Sequence, residues 1–178
     1  MSNLLSSCFP SLKEVSGEFM SRIFVGAGSN LGNRFAFLSE ARESLSARPE
    51  FRFMKASAHF QTKPEGGPEG QDHYLNAVWE FETALLPREV LGVLLETEKA
   101  AGRERSLPNA PRTLDLDLLS YDDLVLEEPN LVLPHPRIQD RVFVLKPLSD
   151  VASGWMHPVL KKSASKLLEA CLEGCPQP

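Results

Sequence analysis

The residues of this sequence best suited to chemistry are two aspartates separated by one leucine. Asp115 and Asp117 lie in the segment RTLDLDLL, residues 112–119. In a β-strand the side chains alternate, so both carboxylates project from one face with their Cα atoms roughly 6–7 Å apart. Two carboxylates this close repel each other unless a cation lies between them, and such a pair suits Mg²⁺ that holds phosphate groups. The alternative is an edge strand with a solvated acidic face, which the spacing alone does not exclude.

Arginine is concentrated around these aspartates. Residues 100–145 contain no lysine and five arginines: Arg103, Arg105, Arg112, Arg137 and Arg141. A guanidinium group stays charged and binds phosphate through two hydrogen bonds. Three of the five lie in the proline-containing loop 103–112, where their charges would repel one another without a ligand. The combination predicts a polyphosphate site covered by a loop that is open when empty and closes over the ligand.

Two further side chains are candidates for the same site. Glu98 falls four residues after Leu94 on the apolar stripe of a predicted helix, so its carboxylate needs a partner or a ligand unless it leans into water at the helix end. His135 lies between Pro134 and Pro136, a stiff segment that fixes the direction of its ring. It either bonds a phosphate oxygen or has a structural role.

A flat ring and an amide share one face of another predicted strand. Tyr74 and Asn76 are two residues apart in the alternating segment 74–82, whose other face is apolar. A stacking surface beside a group that can donate and accept hydrogen bonds suits a planar heterocycle such as a pterin or a purine. An ordinary half-buried strand face is the alternative.

The segments that must position these residues alternate between strands and helices. Periodicity predicts strands at 22–27, 51–60, 74–82, 112–119 and, more briefly, 121–126. It predicts helices at 33–48, 87–101, 137–148 and 163–172. Pro87 suits the first turn of the second helix and Gly102 its end. The order of elements predicts an α+β fold of ferredoxin-like type, an antiparallel sheet with helices packed on it in αβα layers.

The glycine-rich segment GAGSN, residues 26–30, follows the first strand. Its glycines do not have the spacing of a dinucleotide-binding fingerprint, and no parallel strand–helix–strand unit follows. The segment therefore predicts only a tight turn between strand and helix.

Length and charge restrict the class of protein. A chain of 178 residues with 42% hydrophobic residues is long enough for one well-buried domain and too short for two ordinary ones. We expect one domain at 21–178 and, before it, an extension at 1–20 that is disordered or forms a short helix. The net charge of −5 argues against nucleic acid and anionic membranes as partners. The three cysteines do not make a disulfide framework, which favours the cytoplasm.

Five segments of the chain resemble the 6-hydroxymethyl-7,8-dihydropterin pyrophosphokinase family, in the same order and with similar spacing. They are VGAGSNLG at 25–32, DHYLNA at 72–77, E-x₃-GR-x-R at 98–105, PRTLDLD at 111–117 and PH-x₅-R-x-F at 134–143. The fourth, with both aspartates, is the most specific. The family transfers a pyrophosphoryl group from ATP to the hydroxymethyl oxygen of the pterin and releases AMP, in folate biosynthesis.

The resemblance implies roles for the candidates on the pterin side. Tyr74 and Phe143 would enclose the pterin ring. Asn76 would hydrogen-bond its polar edge, and Thr62 would contribute a backbone contact. The segment Lys63-Pro64-Glu65 differs here from the more apolar start that the family has in this loop.

The resemblance also implies roles on the ATP side. Asp115 and Asp117 would hold two Mg²⁺ ions between the phosphates and the attacking hydroxyl. Glu98 would lie near the nucleotide. Phosphate charge would be neutralised by Arg103, Arg112, His135 and Arg141. Of these four, Arg103 and Arg112, which flank the loop, would also be catalytic.

Two other classes of protein are compatible with parts of the pattern. A nucleotide-sugar transferase also uses Asp-x-Asp on a metal, but needs a larger α/β domain than this chain provides. A non-catalytic ferredoxin-like ligand-binding module would need neither the paired carboxylates nor the arginine loop. We therefore expect an ATP-dependent enzyme that acts on its two small substrates as a monomer.

Overall fold

The structure is a computed structural model that describes residues 13–15, 18–103 and 110–174, with side chains from residue 20 onward in those ranges. The strands are β1 Lys13–Val15, β2 Glu18–Ser29, β3 Phe51–Ala56, β4 Phe60–Thr62, β5 Tyr74–Thr83, β6 Asp115–Tyr121, β7 Leu126–Glu128 and β8 Leu131–Leu133. The α-helices are α1 Arg34–Ser46, α2 Pro87–Ala100, α3 Val142–Ala152 and α4 Ala164–Gly174. In this described part, no helix is long and apolar enough to cross a membrane.

Six strands form one antiparallel sheet with β2 and β5 at its centre. β6 pairs with β2, β2 pairs with β5, and both β3 and β4 pair with β5 at different positions along it. The long strands therefore lie in the order β6-β2-β5-β3, with α1 connecting β2 to β3 and α2 connecting β5 to β6. This is the ferredoxin-like arrangement, so the predicted α+β fold is confirmed.

The sheet separates two hydrophobic cores. Leu45 of α1 and Leu94 of α2 pack with Trp79 of β5 on one face. Leu148 of α3 and Trp155, just after that helix, pack on the other face. Helices thus cover both faces of the sheet, as the predicted αβα layers require.

The two helices of the first layer begin as their sequences predict. The Oδ1 atom of Asn33 accepts a hydrogen bond from the amide of Ala36 at 3.2 Å and caps α1. Pro87 occupies the first turn of α2, where it sacrifices no helical hydrogen bond. Gly102 follows the end of α2 with φ +75°, in the left-handed region that glycine adopts without strain.

The segment predicted as one strand at 51–60 is two strands, β3 and β4. They are separated at Ser57, whose side chain takes the place of a backbone acceptor. The amide of Ser57 donates to the carbonyl oxygen of Val78 at 2.9 Å, and the amide of Val78 donates to Oγ of Ser57 at 3.0 Å. Both strands still pair with β5.

Three other boundaries also differ from the predictions. The predicted strand at 121–126 is a turn, in which Asp122 has φ +44°, and a hairpin of β7 and β8 follows it. β2 continues through the glycine-rich segment to Ser29, so the turn lies later, at Gly32 with φ +66°. The helix predicted at 137–148 is a single 3-10 turn, Ile138–Asp140, followed by α3.

At the start of the described chain, β1 pairs with the first residues of β2 where the sequence predicted a disordered extension or a short helix. Residues 1–12 lie outside the described residues.

Candidate functional site

The two aspartates lie on the same face of β6, as their spacing predicts. The leucines that alternate with them are buried in the core under α1 and α2. The carboxylates of Asp115 and Asp117 therefore project from the face that α3 covers. There they line a cavity of about 130 Å³.

The floor of this cavity is the backbone of β2. Strand register places Gly28 between Asp115 on β6 and Asn76 on β5. A Cβ atom at Gly28 would lie 3.2 Å from Oδ1 of Asn76, and one at Gly26 would lie 3.2 Å from Cδ2 of Leu119. The two glycines therefore keep the floor open between the acidic strand and the amide.

The cavity gathers most of the predicted site residues. Eight of the eleven line it: Thr62, Tyr74, Asn76, Arg112, Asp115, Asp117, Arg141 and Phe143. Of the other three, Arg103 is paired with Asp115, and the amide of His135 donates to the carbonyl oxygen of Leu119 at 2.8 Å. Glu98 does not line the cavity.

Asp115 is held between two arginines. Its Oδ1 lies 2.8 Å from Nη1 of Arg103, and its Oδ2 lies 3.0 Å from Nη1 of Arg112. Burial lowers the pKa of Arg112, but the charge of Asp115 and the hydrogen bond to it act in the opposite direction, and the pKa of Arg112 lies above its ordinary value. The predicted repulsion in the empty site is thus wrong for these two arginines, because each already has a carboxylate partner. Arg105 lies outside the described residues.

Asp117 is in a different electrostatic environment from its neighbour. Burial, and then the charge of Asp115, raise the pKa of Asp117 to about 6. Arg141 acts in the opposite direction but does not cancel these effects. A positive charge placed against both carboxylates would relieve this repulsion.

The two carboxylates fit a metal that is shared with a substrate. Among the residues that the structure describes, no three His, Cys, Asp or Glu side chains form a group able to enclose a metal ion. Mg²⁺ does not need such a cage, since it usually binds through one or two carboxylates together with waters and substrate phosphates. The pair formed by Asp115 and Asp117 supplies these ligands on the cavity wall.

On the other side of the floor, the amide of Asn76 has a fixed orientation. Its Nδ2 donates to the carbonyl oxygen of Phe60 at 3.2 Å and to Oγ1 of Thr62 at 3.0 Å. Its Oδ1 faces Gly28. Since Tyr74 and Phe143 also line the cavity, a hydrogen-bond acceptor and two aromatic rings surround the same space.

The segment before α3 brings cationic and neutral donors to the cavity. Burial, and then the charges of Arg141 and Arg137, lower the pKa of His135 to about 4, so its ring is neutral at pH 7. Its Nδ1 accepts from the amide of Arg137 at 3.2 Å, which assigns the ring proton to Nε2. Nε of Arg141 is buried without a hydrogen-bond partner among the described atoms, and the guanidinium carbon lies 5.3 Å from the ring centre of Phe143.

Glu98 is buried and does not line the cavity. It is 3% exposed, its Oε1 accepts from the amide of Leu116 at 2.7 Å, and the same atom pairs with Nη1 of Arg103. Its carboxylate therefore has protein partners, and it neither leans into water nor faces the cavity. The role near the nucleotide that the resemblance implies stays a prediction.

Asn30 is the main site residue to which the sequence analysis gave no role. It is 1% exposed, and its Oδ1 accepts from the amide of Arg112 at 2.8 Å. Its Nδ2 donates to Oε1 of Gln71 at 3.1 Å and to the carbonyl oxygen of Asp72 at 3.3 Å. Asn30 thus fastens two loops to the end of β2. No periodicity marks such a residue, and the only sequence signal is an amide just after a strand.

Glu65 is a second residue without a predicted role. It lines the cavity, and its Oε2 lies 3.8 Å from Nη2 of Arg137. The contact connects the loop after β4 with the segment before α3. Its signal in the sequence is the charged start of that loop, Lys63-Pro64-Glu65.

Fold and site together define a ferredoxin-like domain with an acidic, arginine-lined cavity on one sheet face. The chain belongs to the 7,8-dihydro-6-hydroxymethylpterin-pyrophosphokinase (HPPK) family, whose sequence pattern matches residues 24–153. The 2-amino-4-hydroxy-6-hydroxymethyldihydropteridine pyrophosphokinase of Methylorubrum extorquens is 41% identical over 133 residues, which are 75% of this chain and 84% of that protein.

Longer proteins also contain a similar region. The folic acid synthesis protein fol1 of Pneumocystis carinii is 34% identical over 170 residues, 94% of this chain but 23% of that protein. The solved structure of Plasmodium falciparum HPPK-DHPS with pteroate aligns with a TM-score of 0.70 at 12% identity, over 88% of this chain and 45% of that one. This chain therefore spans less than half of either, and the structural likeness concerns the fold.

Proposed function

We propose that the protein transfers a pyrophosphoryl group from ATP to the hydroxymethyl oxygen of 6-hydroxymethyl-7,8-dihydropterin, releasing AMP, as a step of folate biosynthesis. The observation that carries this proposal is the register Asp115–Gly28–Asn76, which puts a carboxylate pair with its arginines beside an amide and two aromatic rings in one cavity. A phosphate-binding half and a heterocycle-binding half thus share one floor.

The pterin half would bind by stacking and by one oriented amide. Tyr74 and Phe143 stack on the pterin ring. Oγ1 of Thr62 accepts a hydrogen bond from Nδ2 of Asn76 and so fixes the orientation of that amide. Because Nδ2 of Asn76 is already committed to protein acceptors, its Oδ1 is the atom that accepts from an N–H group of the pterin. This orientation predicts a preference for a ring with a hydrogen-bond donor at that edge.

The ATP half would position and neutralise the triphosphate. Arg112 and Arg141 bind phosphate oxygens from the cavity wall, Arg103 joins them from beside Asp115, and neutral His135 donates from Nε2. The reaction needs little covalent participation by the protein, because aligned groups and charge neutralisation supply most of the catalysis. The O–P bond to the β-phosphorus forms as the bond to AMP breaks, and the hydroxyl proton leaves to solvent.

Asp115 and Asp117 would hold two Mg²⁺ ions. Metal ions held there would supply positive charge against the phosphates and would increase the acidity of the attacking hydroxyl. The support from this chain is the pair of carboxylates on one strand face and the raised pKa of Asp117, which a bound cation would lower.

The test is to incubate the protein with ATP, Mg²⁺ and 6-hydroxymethyl-7,8-dihydropterin and to measure AMP and pterin diphosphate by chromatography. We expect both products in equal amounts, and no AMP when the pterin lacks its hydroxyl. Asp117→Ala should remove most of the activity and leave the circular dichroism spectrum unchanged. Binding of both ligands without AMP would instead identify a non-catalytic module, and normal turnover by Asp117→Ala at limiting Mg²⁺ would contradict the two-carboxylate role.

We also propose that the protein acts as a monomer in the cytoplasm. The proposed site residues all belong to this one sequence, so the proposed activity requires no residue from another protein. The absence of a disulfide framework in the cysteine pattern supports the cytoplasmic location. Light scattering of the purified protein and fractionation of the source cells test the two parts separately.

A further inference from the structure

Glu98 is a buried carboxylate at the junction of three parts of the site. It lies near the end of α2 and is 3% exposed. Its Oε1 accepts the amide proton of Leu116, the residue between the two aspartates, at 2.7 Å. The same atom pairs with Nη1 of Arg103, and the backbone amide of Arg103 donates to the carbonyl oxygen of Glu98 at 3.1 Å.

Arg103 is therefore shared between two carboxylates. Its Nη1 contacts Glu98 on one side and Oδ1 of Asp115 on the other, at 2.8 Å in the second case. Its side chain is 15% exposed, so it has little water to replace a lost partner. If Glu98 were neutral, Asp115 would be the remaining carboxylate in contact with this guanidinium among the described residues.

We propose that Glu98 is a positioning residue for pyrophosphoryl transfer: it fixes the acidic strand through Leu116 and draws Arg103 away from full pairing with Asp115, so that Asp115 stays available to a metal–nucleotide ligand. The proposal rests on the proposed function. In this role Glu98 would act through Arg103 and β6 rather than by contact with a substrate.

The two roles of Glu98 have different physical origins. The hydrogen bond to the amide of Leu116 needs only an acceptor, which a glutamine oxygen also provides. The division of Arg103 between two partners needs a negative charge, because a guanidinium group pairs far more weakly with a neutral amide than with a carboxylate. Glu98→Gln therefore separates the strand contact from the charge effect.

The experiment compares Glu98→Gln with a matched control, Glu96→Gln. Glu96 lies two residues earlier on α2, and its side chain is 72% exposed. It pairs with Arg48, and neither residue lines the cavity. Binding of Mn²⁺, as a substitute for Mg²⁺, is measured by electron paramagnetic resonance with a non-hydrolysable ATP analogue. Thermal unfolding and the steady-state constants for ATP and pterin are measured in parallel.

We expect Glu98→Gln to weaken Mn²⁺ binding about tenfold, the size of one lost charge-assisted interaction. We expect kcat to fall by a similar factor, with an unchanged KM for the pterin, because Glu98 does not contact the pterin half. Glu96→Gln should match the parent protein in all of these measurements. Equal Mn²⁺ affinity in Glu98→Gln and Glu96→Gln would overturn the proposal.

A double variant tests whether Glu98 acts through Arg103. In an Arg103→Gln background, Glu98→Gln should cause no further loss of Mn²⁺ affinity, since the shared partner is already absent. Additive losses would overturn the proposal. If Glu98→Gln does not fold alone, the double variant, which removes both charges, should fold; failure of both would make Glu98 a structural residue only. Because Mn²⁺ binding needs no turnover, this result is independent of whether the protein releases AMP.

Discussion

Asp117 shows the conflict between stability and function at the scale of one residue. Its pKa of about 6 lies above the ordinary value of 3.8 because the carboxylate is buried beside Asp115. Between those two values the folded protein binds more protons than the unfolded chain. Stability therefore falls as pH rises through this window, and above it the folded protein carries an unfavourable buried charge.

We predict that Asp117→Asn, which resembles the protonated acid, stabilises the ligand-free protein at pH 8 by on the order of 1–3 kcal/mol and changes little at pH 3.5. The same variant should lose binding of Mn²⁺ with an ATP analogue. Urea unfolding at the two pH values measures the difference. The control is Asp123→Asn, at an exposed position in the following turn. A stability of Asp117→Asn that is lower at pH 8 than that of the parent would contradict the role of buried charge.

Asn76 is the single residue that tests the other half of the cavity, where the pterin would bind. Asn76→Ala should weaken pterin binding by roughly 1–3 kcal/mol, because a buried donor or acceptor loses its partner. Calorimetric titration with the pterin measures this change. Gln61→Ala is the control, since Gln61 lies on the neighbouring β4 but is exposed and bonds His73. Equal pterin affinities for the parent and Asn76→Ala would exclude this contact.

At the scale of an element, the open floor depends on the glycines of β2. Gly28→Ala places a Cβ atom 3.2 Å from Oδ1 of Asn76, between two strands that cannot separate without losing pairing. We therefore predict at least tenfold weaker pterin binding, the effect of about 1.4 kcal/mol of lost contact or strain, with a native circular dichroism spectrum.

Gly92→Ala is the matched control for this substitution. Gly92 lies inside α2 with no atom within 4 Å of the added Cβ. The change should leave pterin affinity unaltered and should stabilise the protein by roughly 0.5–1 kcal/mol, because alanine favours the helix. If both alanine variants bound the pterin like the parent, the floor would be more tolerant than its geometry indicates.

The loop 103–112 is the second element on which the site depends. Residues 104–109 lie outside the described residues, while Arg103 and Arg112 on either side both pair with Asp115. We predict that an ATP analogue with Mg²⁺ and pterin increases hydrogen-exchange protection across 103–112, because phosphates give the arginines new partners and closure excludes water. Peptides from α1 serve as an internal control. Protection that is already high in the free protein and does not change on binding would rule out the closing loop.

At the scale of the whole molecule, the cavity lies against the layer of α3 and α4 while its acidic strand is anchored in the opposite core. The two tryptophans of the chain report on the two cores, Trp79 on one and Trp155 on the other. We predict that the tryptophan fluorescence of Trp79→Phe and of Trp155→Phe, each with one remaining tryptophan, changes over the same range of urea concentration as the circular dichroism of the same variant. A fluorescence transition that precedes the circular dichroism change in either variant would show that the two cores unfold separately.

The sequence by itself determined what depends on local pattern. Alternation along 112–119 was enough to put Asp115 and Asp117 on one face and the leucines in a core, because strand geometry has a period of two residues. The starts of α1 and α2 and the order of elements followed from periodicity and, for α2, from Pro87, which act within a few residues.

The tertiary structure decided which of these elements face one another. The amide of Leu116 meets Glu98 across 18 residues, and the amide of Arg112 meets Asn30 across 82. Nothing in the local pattern of either segment specifies its partner. The first contact depends on how α2 packs against β6, and the second on the register of β2 with β6. For the same reason GAGSN resembled a turn, whereas the structure makes its glycines the floor between two half-sites. Periodicity fixes the direction of a side chain, and only the packed sheet fixes what it meets.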